Sequence, residues 1–159
     1  MNGPSVIDGV VITELRQISD SRGAVLHMLR LGSPGFVGFG ECYFSEVAPG
    51  AVKAWKRHQR QTQNLAVPVG RLRLVVYDDR SESPTFGSLQ VLELGRPDAY
   101  LRVTIPPRLW YGFAAIGASA ALVANCADQP HDPLESEARA VTDLAIPYVW
   151  LDTPAGLAK

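Results

Sequence analysis

The feature that most constrains the fold is a succession of short apolar runs, each closed by a turn signal, with no helical periodicity between them. Residues 10–15 form the first run, and the turn Asp20-Ser21-Arg22-Gly23 follows it. Runs at 24–31 and 36–47 come next, the second closed by Pro49-Gly50. Residues 65–69 lead into Gly70, and residues 71–77 open with polar–apolar alternation, the mark of a strand with one face buried. Residues 101–105 alternate in the same way and stop at Pro106-Pro107, where a ladder donor is missing. Two further strands are expected at 90–94 and 122–126. Residues 114–123 are rich in alanine, but Gly117 and the β-rich surroundings argue against a helix. The one helical turn expected lies near 134–140. Many short strands at even spacing predict a sandwich or a barrel.

At 159 residues the chain fits one domain, with no repeat or linker that would divide it. A net charge of −1 gives no electrostatic case for binding nucleic acid or an anionic membrane. The two cysteines, Cys42 and Cys126, read as reduced, small core residues rather than a disulfide framework. Met1 to Ser5 lacks the basic and apolar regions of a signal peptide, and no apolar run reaches membrane-spanning length. A cytoplasmic protein is expected.

Small barrels bind ligands in their mouths, between inward-pointing side chains. The richest polar segment lies between Gly50 and Gly70 and holds Lys53, Lys56, Arg57, His58, Arg60, Gln61, Gln63 and Asn64. If it is extended, Lys56, His58 and Arg60 share one face, and Lys53, Trp55 and Arg57 the other. An exposed edge guarded by lysines is the alternative. The apolar run 65–69 ties the segment to the core and favours an inward anion site. Gly50, His58 and Gly70 also fall into the register of the cupin metal motif. Lys56, Gln63 and Tyr111 stand where its other ligands belong, so neither a metal nor any other cofactor is expected. Trp110 and Tyr111, after the double proline, could offer a stacking face and a polar tip at the mouth.

Taken together, these landmarks resemble the dTDP-4-dehydrorhamnose 3,5-epimerase family. Asp20-Ser21-Arg22-Gly23 looks like its D-x-R-G motif. Residues 78–87, from Asp78 and Arg80 through Ser83-Pro84-Thr85-Phe86-Gly87, are similar to its D-x-R-x-x-S-P-T-F-G. Ile105-Pro106-Pro107 with Gly112-Phe113 resembles its I-P-x-G-x-x-H-G-F. The resemblance spans about residues 6–150. It implies an all-β, cupin-type double-stranded β-helix (jelly-roll) barrel over residues 1–159, with residues 6–15 exchanged between protomers of a homodimer.

The resemblance also implies an epimerase acting beside the ketone of a nucleotide-linked 4-keto-6-deoxy sugar. The residues at its key positions are altered. Lys56 stands at the family's base, Tyr111 at its later histidine and Asn125 at its tyrosine acid. Its aspartate partner to the histidine would lie beyond Lys159. The catalytic set expected here is therefore His58 as base, Lys56 beside the enolate oxygen and Tyr111 as proton donor. Lys53 and Arg22 are expected on the diphosphate, Arg22 from across a dimer. Glu41, Gln63, Asn125 and Trp110 complete the expected substrate contacts. The alternatives are a sugar-nucleotide-binding protein without turnover, or a cyclase or dehydratase on the same barrel.

Overall fold

Alternation along the strands sorts apolar side chains to an interior and leaves few polar ones there. The computed structural model describes residues 7–151. In chain order the strands are β1 (Val11–Glu14), β2 (Gln17–Asp20), β3 (Gly23–Leu26), β4 (Glu41–Val47), β5 (Val52–His58) and β6 (Gln63–Val69). They continue as β7 (Arg71–Tyr77), β8 (Leu89–Gly95), β9 (Leu101–Ile105), β10 (Trp110–Ala115), β11 (Ala121–Ala127) and β12 (Ser136–Ala138). Two five-stranded antiparallel sheets result, β1-β9-β6-β11-β4 and β12-β5-β10-β7-β8, with β2 and β3 as a separate hairpin. This is the jelly-roll barrel that the resemblance implies, one of the two architectures the strand pattern allows.

The core between the sheets is built from Leu65, Val67, Leu72, Leu74, Val76, Val103, Ile105 and Val123, all fully buried. Burying each such side chain contributes about 1.5–3 kcal/mol. A second apolar cluster covers the outer face of the β12-β5-β10-β7-β8 sheet. Val52, Trp55, Val75 and Trp110 lie there beneath Val141, Ile146 and Trp150 of the closing segment. Both faces of β5 and β7 are thereby covered, so the cationic strand is no solvated edge. It also explains why alternation fades after Leu74, since Val75 faces an apolar cover.

Three expectations need correction. The run expected from residue 36 becomes a strand only at Glu41, and Gly40 just before it packs so closely on the backbone of Gln129 that no side chain fits there. The helical turn expected near 134–140 is instead β12, paired with β5 through Ser136↔His58 and Ala138↔Lys56. Cys42 and Cys126 are free, as expected, but not core residues. They face each other across β4 and β11 with Sγ atoms 3.3 Å apart, Cys42 exposed and Cys126 half-buried. Of the segment expected to exchange between protomers, Val11–Glu14 pairs with β9 of the same chain, and Val6 lies outside the described residues.

Candidate active site

A cavity of about 510 Å³ opens between the two sheets. One sheet contributes Tyr43, Ser45, Leu65, Val123 and Asn125 to its wall, and the other Lys53, Lys56, Tyr111 and Phe113. The presence of both lysines on one wall corrects the alternation expected for this segment. Tyr111 pairs with Lys56 and Phe113 with Lys53, so Ala54 and Trp55 together stand opposite Gly112. Such a bulge adds one residue and reverses the inside–outside order on one side of it. Lys53 therefore joins Lys56 at the cavity, while Trp55 packs outward. Lys53 Nζ donates to Ser45 Oγ at 2.9 Å across the gap between sheets. Among the described residues Lys56 has no ion-pair partner, so its ammonium is available to a ligand.

Behind this wall lies a chain of three titratable groups. His58 Nδ1 meets Glu135 Oε1 in a very short contact, and His58 Nε2 lies 3.1 Å from the Tyr111 hydroxyl. The other oxygen of Glu135 accepts the backbone N–H groups of Gln59, Arg60 and Gln61 at 3.1, 3.1 and 3.3 Å. Burial alone would raise the Glu135 carboxyl. The His58 hydrogen bond and the backbone donors outweigh it and hold the carboxyl below its ordinary value. His58 is shifted the other way from an imidazolium. Burial depresses it more than Glu135 raises it, and Lys56 adds to the depression, so the ring is neutral at pH 7. An ionised carboxylate only accepts, so Nδ1 carries the hydrogen. Nε2 is bare and accepts from the Tyr111 hydroxyl, which burial holds well above the ordinary phenol range.

Opposite stands a second polar chain. Asn125 Nδ2 donates to the Tyr43 hydroxyl at 2.8 Å and to Gln63 Oε1 at 2.6 Å. Gln63 in turn donates to Gln61 Oε1 at 3.0 Å, and Gln61 Nε2 donates to the carbonyls of Gln129 and Pro130 at 3.2 and 3.0 Å.

Lys53, Lys56, Tyr111 and Asn125 thus line the cavity, and His58 and Gln63 lie directly behind it. The remaining expected contacts do not reach it from this chain. Trp110 points to the outer face, where it is stacked by Arg57 and Arg139 at 4.5 and 4.8 Å and its Nε1 donates to Asp79. Register explains this, since Trp110 precedes the inward Tyr111 by one residue. Glu41 sits at the start of β4, outside the cavity wall. Arg22 occupies the hairpin tip, 88% exposed and paired with Asp20 at 2.7 Å. Two residues of the site escaped the sequence reading. Tyr43 was open to discovery, since Tyr43, Ser45 and Val47 alternate inward along β4. Glu135 carries no local signal, because only the pairing of β12 with β5 brings it to His58.

A jelly-roll barrel that buries a carboxylate–imidazole–phenol chain and lines its cavity with two lysines is the frame of a cupin-class enzyme. The family can be stated as well. The chain belongs to the dTDP-4-dehydrorhamnose 3,5-epimerase family, whose model matches residues 4–158. It is 34% identical over 124 residues to "Probable low-salt glycan biosynthesis epimerase Agl13" of Haloferax volcanii, covering 77% of this chain and 78% of that protein. It is 26% identical over 147 residues to "Spore coat polysaccharide biosynthesis protein SpsL" of Bacillus subtilis, covering 91% and 97%. The crystal structure of a dTDP sugar isomerase from Desulfovibrio desulfuricans superimposes with a TM-score of 0.89 at 55% identity, over 91% of this chain and 92% of that one.

Proposed function

We propose that this protein epimerises a nucleotide-linked 4-keto-6-deoxy sugar by removing a proton from a carbon beside the ketone. The observation that carries this reading is the Glu135–His58–Tyr111 chain. It supplies a base and its orienting carboxylate from positions other than those the resemblance implies, which favours turnover over binding alone. Tyr111 presents its oxygen to the cavity while its hydrogen points at His58. As the sugar C–H proton moves to the Tyr111 oxygen, the Tyr111 hydrogen passes to His58 Nε2, and Glu135 stabilises the imidazolium. The base is thus His58 acting through Tyr111, and no free phenolate has to form. Lys56, beside Tyr111 on the wall, faces the ketone oxygen, where its charge stabilises the enolate. Lys53 is the cavity cation left for the diphosphate. Arg22, on an exposed hairpin with Val25 62% exposed, fits a role in a partner protomer's cavity within a homodimer.

The test is incubation with thymidine-diphosphate-linked 4-keto-6-deoxyglucose in deuterated water. Deuterium is expected at C3, at C5 or at both. His58→Asn should slow its entry about 10²–10⁴-fold, the usual range for losing a general base. Absence of exchange with thymidine- and uridine-linked 4-keto sugars alike would sink the proposal.

A further inference from the structure

An inverted centre needs a second proton-transfer group on the face away from the base, and Tyr111 with its hydrogen committed to His58 cannot be that donor. We infer that Tyr43 is the donor, its hydroxyl reprotonating the enolate from the opposite sheet. This assignment rests on the enolisation reading above.

The direction of the second polar chain carries the argument. Backbone carbonyls only accept, so the contacts to Gln129 O and Pro130 O fix the Gln61 nitrogen toward them and its oxygen toward Gln63. Gln63 must then donate to Gln61 and present its own oxygen to Asn125. Asn125 must donate to Gln63, and the same nitrogen supplies its second hydrogen to the Tyr43 oxygen. Each amide orientation follows from the one before it, starting from atoms that cannot switch role. Tyr43 therefore accepts from Asn125, and its own hydrogen is free to point into the cavity. Tyr111 is the reverse case, its hydrogen directed away from the cavity at His58.

The two phenols come from different sheets and line the same cavity, near enough that a charge on Tyr43 would oppose ionisation of Tyr111. Asn125 is 3% exposed and stands directly across from Tyr43 in the β4–β11 register, with its Oδ1 buried and without a partner among the described residues. That bare acceptor at the cavity wall suits a sugar hydroxyl beside the reacting carbon. Burial keeps the Tyr43 hydroxyl protonated until it is used, and the Asn125 hydrogen bond works against that rise. In the step, the Tyr43 O–H bond breaks as a C–H bond forms at the enolate carbon. The enolate electron pair makes that bond, the ketone is restored, and Tyr43 is left as a phenolate held by Asn125. Tyr43 is 40% exposed, so water at the cavity mouth returns its proton, while the proton held on His58 leaves through Tyr111 to the same solvent and both groups are restored.

Tyr43→Phe separates the two half-steps. In deuterated water with the same thymidine-linked keto sugar, label should still enter recovered, uninverted substrate within about threefold of the wild-type rate. Inverted product should fall about 10²–10³-fold. Tyr111→Phe should lose exchange and inversion together. Asn125→Leu, which leaves Tyr43 in place but removes its donor, should show the same split as Tyr43→Phe with a smaller loss of inversion. It decides the matter if Tyr43→Phe does not fold. Unchanged inversion in these variants, or equal loss of exchange and inversion, would overturn the Tyr43 assignment and leave the enolisation reading standing. A wild-type protein that exchanges nothing would remove both.

Discussion

At the scale of single residues, Glu135 decides how His58 behaves. Replacing it with Gln keeps the shape and removes the charge. If the new amide turns its oxygen to His58, its nitrogen faces the backbone donors of Gln59, Arg60 and Gln61, and donor meets donor. If it turns its nitrogen to His58, the ring must carry its hydrogen on Nε2 and can no longer accept from Tyr111. Either arrangement costs about 1–3 kcal/mol of stability. Glu135→Gln is expected to slow solvent exchange about 10²-fold or more, with little change in substrate affinity. The pH profile gives a readout that a purely structural role would not move. Catalysis needs neutral His58, whose folded pKa lies below 6.5, so the acid limb of the wild-type rate should fall below that pH. Glu135 favours the imidazolium, and its removal should shift the limb to still lower pH. The same sign governs stability. The contribution of a depressed histidine is present above its unfolded pKa and is lost as pH falls through the folded one.

At the scale of elements, the bulge between β5 and β10 places the two lysines. Gly112 makes it possible, since a Cβ there would lie 2.4 Å from Ala54 Cβ and 3.0 Å from its Cα. Gly112→Val should destabilise the fold by roughly 1–3 kcal/mol through overpacking. It should also weaken nucleotide-sugar binding, because a strand pushed outward carries Lys53 and Lys56 with it. A melting curve and a titration would measure the two effects. The bulge also marks where sequence reading reached its limit. Strands such as 71–77 and 101–105 were legible from alternation because local sterics and one buried face dictate it. The inward positions of Lys56 and His58 followed from the same rule. Lys53 did not, since an inserted residue between strands distant in sequence leaves no local trace. Trp110 misled for a related reason. A tryptophan looks the same in the sequence whether it faces a ligand or lies under a C-terminal cover. β12 was missed because three residues pairing with a distant strand have no periodicity to show.

At the scale of the whole molecule, the most family-like motif holds the barrel together rather than the substrate. Asp78, fully buried, accepts from Arg80, Ser83 and Thr85 on the loop between β7 and β8. Arg80 donates onward to the Asp8 carbonyl at 2.8 Å, and the Asp8 N–H donates to Thr85 Oγ1 at 2.9 Å. The clamp thus fastens the segment entering β1, in one sheet, to the loop that joins β7 and β8 in the other. Burial would raise the Asp78 carboxyl, but these donors outweigh it and hold the group far below the ordinary carboxylate range. Its contribution is therefore complete above the unfolded pKa of about 3.9 and is lost as pH falls further. Asp78→Ala strands a partly buried guanidinium and two hydroxyls without their acceptor, a change that costs on the order of 3–5 kcal/mol. For a chain of this size that lowers the melting temperature by about 10 °C. Exchange per folded molecule should stay close to wild type, because no atom of the clamp lines the cavity. Glu82 is the internal control. It lies on the same loop and pairs with Arg108 of the β9–β10 connection, but the two side chains are 62% and 51% exposed. Solvent and salt screen such a pair, so Glu82→Gln should leave the melting temperature where it was. Equal losses from Asp78→Ala and Glu82→Gln would mean that charge on this loop matters and the buried clamp does not.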